Sequence, residues 1–502
     1  MMKNIIKLTL ATCLIVSVNS CSDILDNSGV AGDSQPTQFL TADQLEKASE
    51  TNLGIPAAFV GGIYSQMIQT GSGGSTSQTD FGHKSYDLFS DMLSGDMALS
   101  VSTYGWYRAD ITEFQAPLDY TRGSNRQVWR YYYRIVRSAN TVIQNLGGND
   151  AVPELVSNKY AMGQAKAMRA HSYFYLTQFF QKEYNASEAI LPLYTEPTGG
   201  NLPKSTASEI YDLMESDLTS AISLLEGFNR SAKNEVNQDV AKAILAYVLG
   251  AKGGRDTEVA TLTQDVINSG AYSMLSSDEL TTTGFADASN PSWMWGIDVV
   301  ENNGLGLVSW WGQLDAYSYS YGWAGDYKVI DKTLWDAIPA DDARKAQFLN
   351  NPASGRNLQP LKKFFASGTI GGTSITVTAD YVYMRIEEMY LLNAEANAKA
   401  GNDGAAKISL KALLANRIPN TAYVDGLAGQ ALKDQIYLQT RIELWGEGKS
   451  YLAMKRNKAT TVRGTNHLSF VGDPIPYNDE RMQFEIPLDE IQNNPFITDQ
   501  NQ

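Results

Sequence analysis

Between Ser157 and Glu183, the residues Ala161, Ala165, Met168, Ser172, Tyr175 and Phe179 recur at alternating four- and three-residue steps. That spacing lays one apolar stripe along a helix of about seven turns, which must be covered by other helices to be stable in water. Ala170 and Phe174 add the small-x3-large spacing that lets two helices approach closely. Thr206 and Glu209 form a capping-box pair before a second stripe of Ile210, Met214, Leu218, Ala221 and Leu225. A partner from Gln238 to Ala251 ends at Gly253 and Gly254. After residue 380 the spacing predicts helices over Tyr383–Ala400, closed by Gly401 as a left-handed cap, then Asn402–Asn416 and Leu432–Lys458. Helices paired through short connections predict a mainly α fold of helix–turn–helix units resembling tetratricopeptide repeats.

The helical frame is expected over about 124–270 and 381–460. A loop-rich insertion from about 271 to 380 separates the two blocks and carries Trp293, Trp295, Trp310, Trp311, Trp323 and Trp335. An insertion of that length in a helical frame points to a functional face or a subdomain. A second loop-rich stretch, 66–120, gathers Tyr104, Trp106 and Tyr107.

Residues 1–20 carry Lys3 and Lys7, then an apolar run from Leu8 to Val18, then Asn19 and Ser20 before Cys21. This is the layout of a secretory signal peptide, and the run is shorter than the about 20 residues that span a bilayer. Cys21 at that point predicts lipid modification; the alternative is an ordinary signal with an incidental cysteine. Residues 21–38 read as a tether and 39–502 as the folded body. Removal of the signal takes Cys13 with it, so no internal disulfide is possible and an apolar core must hold the body.

The formal net charge is −15, and loss of Lys3 and Lys7 makes the chain more acidic still. Such a surface repels phosphate backbones, and no basic stripe is expected, so nucleic acid is a poor partner. The three histidines, His83, His171 and His467, sit at no metal-ligand spacing, and no cofactor motif is present. His171, inside an apolar helix, reads as a hydrogen-bonded packing residue.

Seven segments in order resemble the SusD/RagB family of surface lipoproteins of Bacteroidetes. They are SCSDILD (Ser20–Asp26), VWRYYYRIVRSANTVIQNL (Val128–Leu146), AKAMRAHSYFYLTQFF (Ala165–Phe180), LPLYTEPT (Leu191–Thr198), YMRIEEMYLLNAEANAKAG (Tyr383–Gly401), RIELWGEGKSYLAMKR (Arg441–Arg456) and FEIPLDEIQNNP (Phe484–Pro495). The resemblance implies four tetratricopeptide-like helix pairs, with the remaining loops building a ligand face. It implies an outer-membrane, lipid-anchored protein at the cell surface. It also implies a SusC-like TonB-dependent transporter as partner, and capture of oligosaccharides, or in some members peptides, without covalent chemistry.

Sugar recognition needs flat apolar rings for C–H faces and planar polar groups for hydroxyls. The run from Trp310 to Trp323 offers Trp310, Trp311, Asp315, Tyr317, Tyr319 and Trp323. In an extended chain Tyr317, Tyr319 and Tyr321 would share one side. Alternatively, these rings pack the insertion onto the helices. The family's other contact loop maps to Asp91–Tyr107, which nominates Asp96, Tyr104 and Trp106; Asp96 could equally cap a helix starting near Met97. Arg441, Glu443, Glu447 and Lys449 resemble a catalytic cluster, but the family pattern makes them helix-packing charges, with Glu443 and Glu447 on one helix face. A glycoside hydrolase would need two carboxylates across a cleft, and with 55 acidic residues a pair can always be nominated. An adaptor that never meets ligand is the third reading.

Overall fold

Thr206 and Glu209 form the reciprocal cap that the sequence predicts. The Glu209 N–H donates to Thr206 Oγ1 at 3.3 Å, and the Thr206 N–H donates to Glu209 Oε2 at 2.8 Å, so the first turn keeps no idle donor there. The structure, a computed structural model, describes residues 44, 47–48, 52, 54–366, 368, 370 and 376–501. Cys21, the signal 1–20 and the tether 21–38 lie outside the described residues.

The frame opens with α1 (Gly54–Gln66), α2 (His83–Leu93) and strand β1 (Met97–Ser102). Two long helices follow, α3 (Gly123–Asn145) and α4 (Val156–Phe180), then the strand pair β2 (Ala189–Pro192) and β3 (Lys204–Thr206). Next come α5 (Ala207–Leu224), α6 (Gln238–Lys252) and α7 (Asp256–Asn268). The insertion contributes β4 (Trp293–Ile297) and β5 (Asp326–Ile330). The chain returns to the frame through β6 (Tyr381–Arg385), α8 (Ile386–Lys399), α9 (Asp403–Leu414), α10 (Gly429–Glu443) and α11 (Ser450–Arg456). Helix packs on helix in succession: α4 lies against α3 and α5, α6 against α5 and α7, and α8 against α7, α9 and α10. Gly163 permits close approach of α4 to the end of α5, because a Cβ there would sit 2.8 Å from Leu225 Cγ. Among the described residues no helix is long and apolar enough to cross a membrane.

Two expected helices are cut differently. Tyr383 belongs to β6, which pairs antiparallel with β4 and places Trp293 opposite Arg385; the helix begins only at Ile386. A strand five residues long, buried throughout, has no alternation to reveal it. The span Leu432–Lys458 is two helices, not one. Gly446 and Gly448 break it with φ of 78° and 76°, and a Cβ would lie 2.4 Å from Phe364 at the first and 2.1 Å from the Asp87 carboxylate at the second. Gly401 does take the predicted left-handed turn, at φ 81°.

Glu443 and Glu447 consequently do not share a helix face; Glu443 ends α10 and Glu447 lies within the break, between the two glycines. Both are buried in an ion-pair network, the structural role that the family pattern implies. Arg417 donates to Glu443 at 2.8 Å through both Nε and Nη2, and Arg344 Nη1 donates to it at 3.2 Å. Arg385 Nε donates to Glu447 at 2.7 Å, with Lys363 Nζ 2.9 Å from the same carboxylate. Burial alone would raise the Glu447 carboxyl, but Arg385 and Lys363 outweigh it and hold it at about 2. His171 packs as expected, its ring 5.1 Å from Trp295, but Nδ1 finds no hydrogen-bond partner among the described residues. Burial, with His83 and Lys449 nearby, keeps this ring well below the usual imidazole range and therefore neutral.

Candidate functional site

The antiparallel ribbon β1–β5 joins the two loop-rich stretches. Met97 pairs with Ile330 at one end and Ser102 with Asp326 at the other, across a bulge between Leu99 and Val101. Beyond that end the Thr103 N–H and Oγ1 both donate to the Gly325 carbonyl, at 3.1 and 3.0 Å. Gly325 makes this closure possible: its φ is 120°, and a Cβ would stand 2.4 Å from Thr103 Oγ1. The loop after β1 and the loop before β5 therefore meet.

Aromatic rings of the two loops meet at Tyr321. Tyr321 lies edge-on to Tyr104 at 5.2 Å and to Trp106 at 5.9 Å, each with an interplanar angle of 72°, the geometry that ring quadrupoles favour. Tyr319 and Trp323 make a second pair at 6.4 Å. Tyr104, Tyr319 and Trp323 are 52%, 48% and 49% exposed, so each presents ring surface to solvent. Trp106 and Tyr321 are half-buried, and the Tyr321 hydroxyl donates to Gln78 Oε1 at 3.0 Å. Tyr107, next to Trp106, has a φ of 68°, which is sparsely populated by a side chain this large. The Tyr107 ring is buried against Phe89 at 5.8 Å, which fixes the turn.

Trp106 also borders a groove of about 520 Å³, lined on its polar side by Ser75, Ser77, Asp110, Arg122 and Gln127. Asp110 is held there as a planar acceptor, taking hydrogen bonds from Arg122 Nε and Ser124 Oγ at 2.7 Å each. Rings beside anchored planar polar groups supply both elements that sugar recognition requires.

From the sequence-predicted set, Tyr104 and Trp106 are brought together at Tyr321 and Tyr319 is paired with Trp323; Trp311 and Asp315 line a small pocket with Tyr319 but are themselves buried, and Asp96, Trp310 and Tyr317 point elsewhere. Asp96 is buried, accepts from Arg441 Nε at 2.9 Å, and offers its carbonyl to Trp445 Nε1 at 2.8 Å. It is neither exposed to ligand nor a helix cap, since Met97 begins a strand. Trp310 and Trp311 are 1% and 2% exposed. Trp310 packs on Trp311 and Phe364 at 4.9 and 4.8 Å, and Trp311 Nε1 donates to the Asp380 carbonyl at 3.2 Å. Asp315 is buried, capping its own turn through the Tyr317 N–H at 2.9 Å and the Ser318 hydroxyl. Tyr317 turns away, its hydroxyl donating to the Leu361 carbonyl at 2.9 Å. The expected alternation of Tyr317, Tyr319 and Tyr321 fails because the segment is not extended: Ser320 caps a short helix, Tyr321–Ala324. The site set lacked Tyr321, whose role appears only once the ribbon brings Tyr104 and Trp106 to it.

The chain matches two family models. Residues 74–249 match one described as "starch-binding associating with outer membrane", and residues 346–502 match the SusD family model. The two together cover more than half of the chain. The chain belongs to the SusD/RagB family. No curated protein matches the sequence. Among solved structures, a SusD-like carbohydrate-binding protein of Bacteroides vulgatus is 23% identical over 88% of this chain and 97% of its own, with a TM-score of 0.75. A SusD superfamily protein of Bacteroides thetaiotaomicron is 21% identical over 90% and 99%, at 0.73. Surface glycan-binding protein A of the same species is 17% identical over 89% and 98%, at 0.66. At these identities the likeness is one of fold, the helical frame of SusD proteins.

Proposed function

We propose that this SusD-family chain binds an oligosaccharide or polysaccharide at the cell surface, through the rings of Tyr104, Trp106, Tyr319, Tyr321 and Trp323. The observation that carries the proposal is the convergence of two distant loops, whose rings meet at Tyr321 beside a polar groove. Family membership supports the ligand class. In this reading Cys21 carries the lipid that holds the protein on the outer membrane. The helical frame then sits over a SusC-like TonB-dependent transporter, and the glycan is passed on uncut.

The carboxylates that resemble a catalytic set, Glu443 and Glu447, are neutralised by arginine and lysine in the interior, which supports binding over hydrolysis. Affinity electrophoresis of the full-length protein against a panel of polysaccharides tests the reading, with product analysis of the bound glycan. Retardation without new reducing ends is expected. Release of shorter sugars would assign a hydrolase, and no retardation by any polysaccharide would leave the peptide ligands of the family.

A further inference from the structure

Helix α3 contains no Asp or Glu along its whole length, in a chain with 55 acidic residues. Its arginines Arg126, Arg130, Arg134 and Arg137 follow Arg122 at steps of four, four, four and three, which puts them on one face, a basic stripe where none was expected. Arg130, Arg134 and Arg137 are exposed, and none of the three forms an ion pair among the described residues. The stripe spans about 22 Å at 1.5 Å per residue.

This stripe is continuous with the candidate site. Arg122 lines the groove that Trp106 borders. Arg126 Nη2 donates to the Gly74 carbonyl at 3.0 Å, and Arg134 Nη1 donates to the Ser72 carbonyl at 3.0 Å. Arg130 lies so close to Gly74 that a Cβ there would stand 2.8 Å from its Nε. The loop that these arginines flank supplies Ser75 and Ser77 to the groove. Carboxylates temper the near end, where Asp110 pairs with Arg122 and Asp489 with Arg126; buried Asp80, occupied with the Gly73 and Ser75 N–H groups, is also within electrostatic reach of Arg134.

We infer that the ligand is an anionic glycan, bearing carboxylate or sulfate groups, whose chain runs from the aromatic rings onto this arginine track. The inference rests on the glycan-binding reading and narrows it. A guanidinium matches a carboxylate or sulfate with two parallel N–H donors. A chain held at Trp106 brings its next anionic units along Arg130, Arg134 and Arg137. The net negative charge elsewhere repels such a polymer from the rest of the surface.

The test is calorimetric titration of the full-length protein with oligogalacturonate, its fully methyl-esterified counterpart, a chondroitin sulfate oligosaccharide and polyglutamate. At least one anionic glycan should bind tighter than the neutral ester, with affinity that falls steeply as salt rises. R130Q/R134Q/R137Q should weaken that binding about tenfold or more, flatten its salt dependence, and leave the thermal midpoint unchanged. Should the triple variant unfold, R130Q/R137Q, which keeps the Arg134–Ser72 contact, carries the same expectation. Equal affinity for charged and neutral chains, or undiminished binding by the variants, overturns the inference while leaving the glycan reading intact. Binding of polyglutamate alone would give the track to an acidic protein surface and also overturns it. If neither charged nor neutral glycans bind, both readings fall together.

Discussion

The Tyr104 N–H donates to the Asp326 carboxylate at 2.9 Å, joining residues 222 positions apart in the chain. Asp326 is fully buried at the end of β5, so this bond sets where the Tyr104–Tyr107 loop sits relative to Tyr321. The placement of the Tyr104 ring therefore depends on a residue with no exposed surface of its own. Asp326→Ala should weaken glycan binding although every ring remains, with a stability loss of about 1–3 kcal/mol from the donor left unpaired. Titration beside thermal melts separates the two effects; unchanged affinity would show that the loop holds its place without the carboxylate.

Ring exposure divides the tryptophans into two classes with opposite expected phenotypes. Trp323→Ala and Tyr104→Ala remove half-exposed rings and should each cost about tenfold in affinity, or about 1.4 kcal/mol. Stability should change by about 0.5 kcal/mol or less. Trp311→Ala empties a buried site and should destabilise by about 3–5 kcal/mol. Thermal midpoints of the three variants decide this, and a Trp311 variant as stable as the parent would contradict its interior position.

Much of the frame was legible because long helices repeat their signal over many turns. The stripe through Ala161 and Phe179, the Thr206 cap and the Gly401 turn needed only local spacing. The candidate site was half legible. Trp, Tyr and Asp mark a sugar face by type, yet Trp310 and Trp323 lie thirteen residues apart in one segment with opposite burial. What sorts them is the β1–β5 pairing and the closure at Gly325, contacts made across the chain that no local pattern encodes. The break at Gly446 and Gly448 was missed for a similar reason, since its necessity comes from Phe364 and Asp87 on other segments.

Lys328 should make stability rise with pH. It is buried on β5 with Gln313 Oε1 at 3.0 Å as its hydrogen-bond acceptor. Burial lowers its ammonium from 10.5 to about 7, against the opposing pull of Asp326. Between those two values the unfolded chain holds a proton that the folded protein has lost, so unfolding becomes less favourable as pH increases. The slope is about 1.4 kcal/mol per pH unit for one proton. Lys328→Met should flatten the curve of thermal midpoint against pH from 7 to 10; a slope equal to the parent's would mean that Lys328 stays charged in the fold.

Gly448→Ala should be among the costliest single-methyl changes in the chain. The backbone has φ 76° there, and the added carbon would meet Asp87 at 2.1 Å. Asp87 cannot easily retreat, because it is buried beside Lys84 Nζ at 2.8 Å. A loss of about 2 kcal/mol or more is expected from the left-handed conformation and the displaced carboxylate together. Gly472→Ala is the control: its φ is 78°, but nothing lies within 4 Å of the added carbon. It should cost only the conformational part, and denaturant titration of the two variants compares them directly.

Arg385 serves three carboxylates at once, reaching Glu447 at 2.7 Å, Glu387 at 3.1 Å and Glu443 at 3.3 Å in the interior. Removing it strands buried negative charge, so Arg385→Met should destabilise by about 3–5 kcal/mol at neutral pH. The loss should also carry a pH signature. In the parent, Glu447 titrates at about 2 when folded but near 4.5 when unfolded. Its ionised form therefore adds stability above about pH 4.5, and that addition disappears as pH falls towards 2. Without Arg385 the carboxyl keeps Lys363 but loses the larger of the two cationic influences on it, so the variant forfeits stability that the parent itself gives up in acid. The gap between the two melting temperatures should be widest at pH 6 and narrow at pH 3. A gap of constant width would mean that Arg385 acts through its packing against Phe285, whose ring lies 5.1 Å from the guanidinium, and not through its charge.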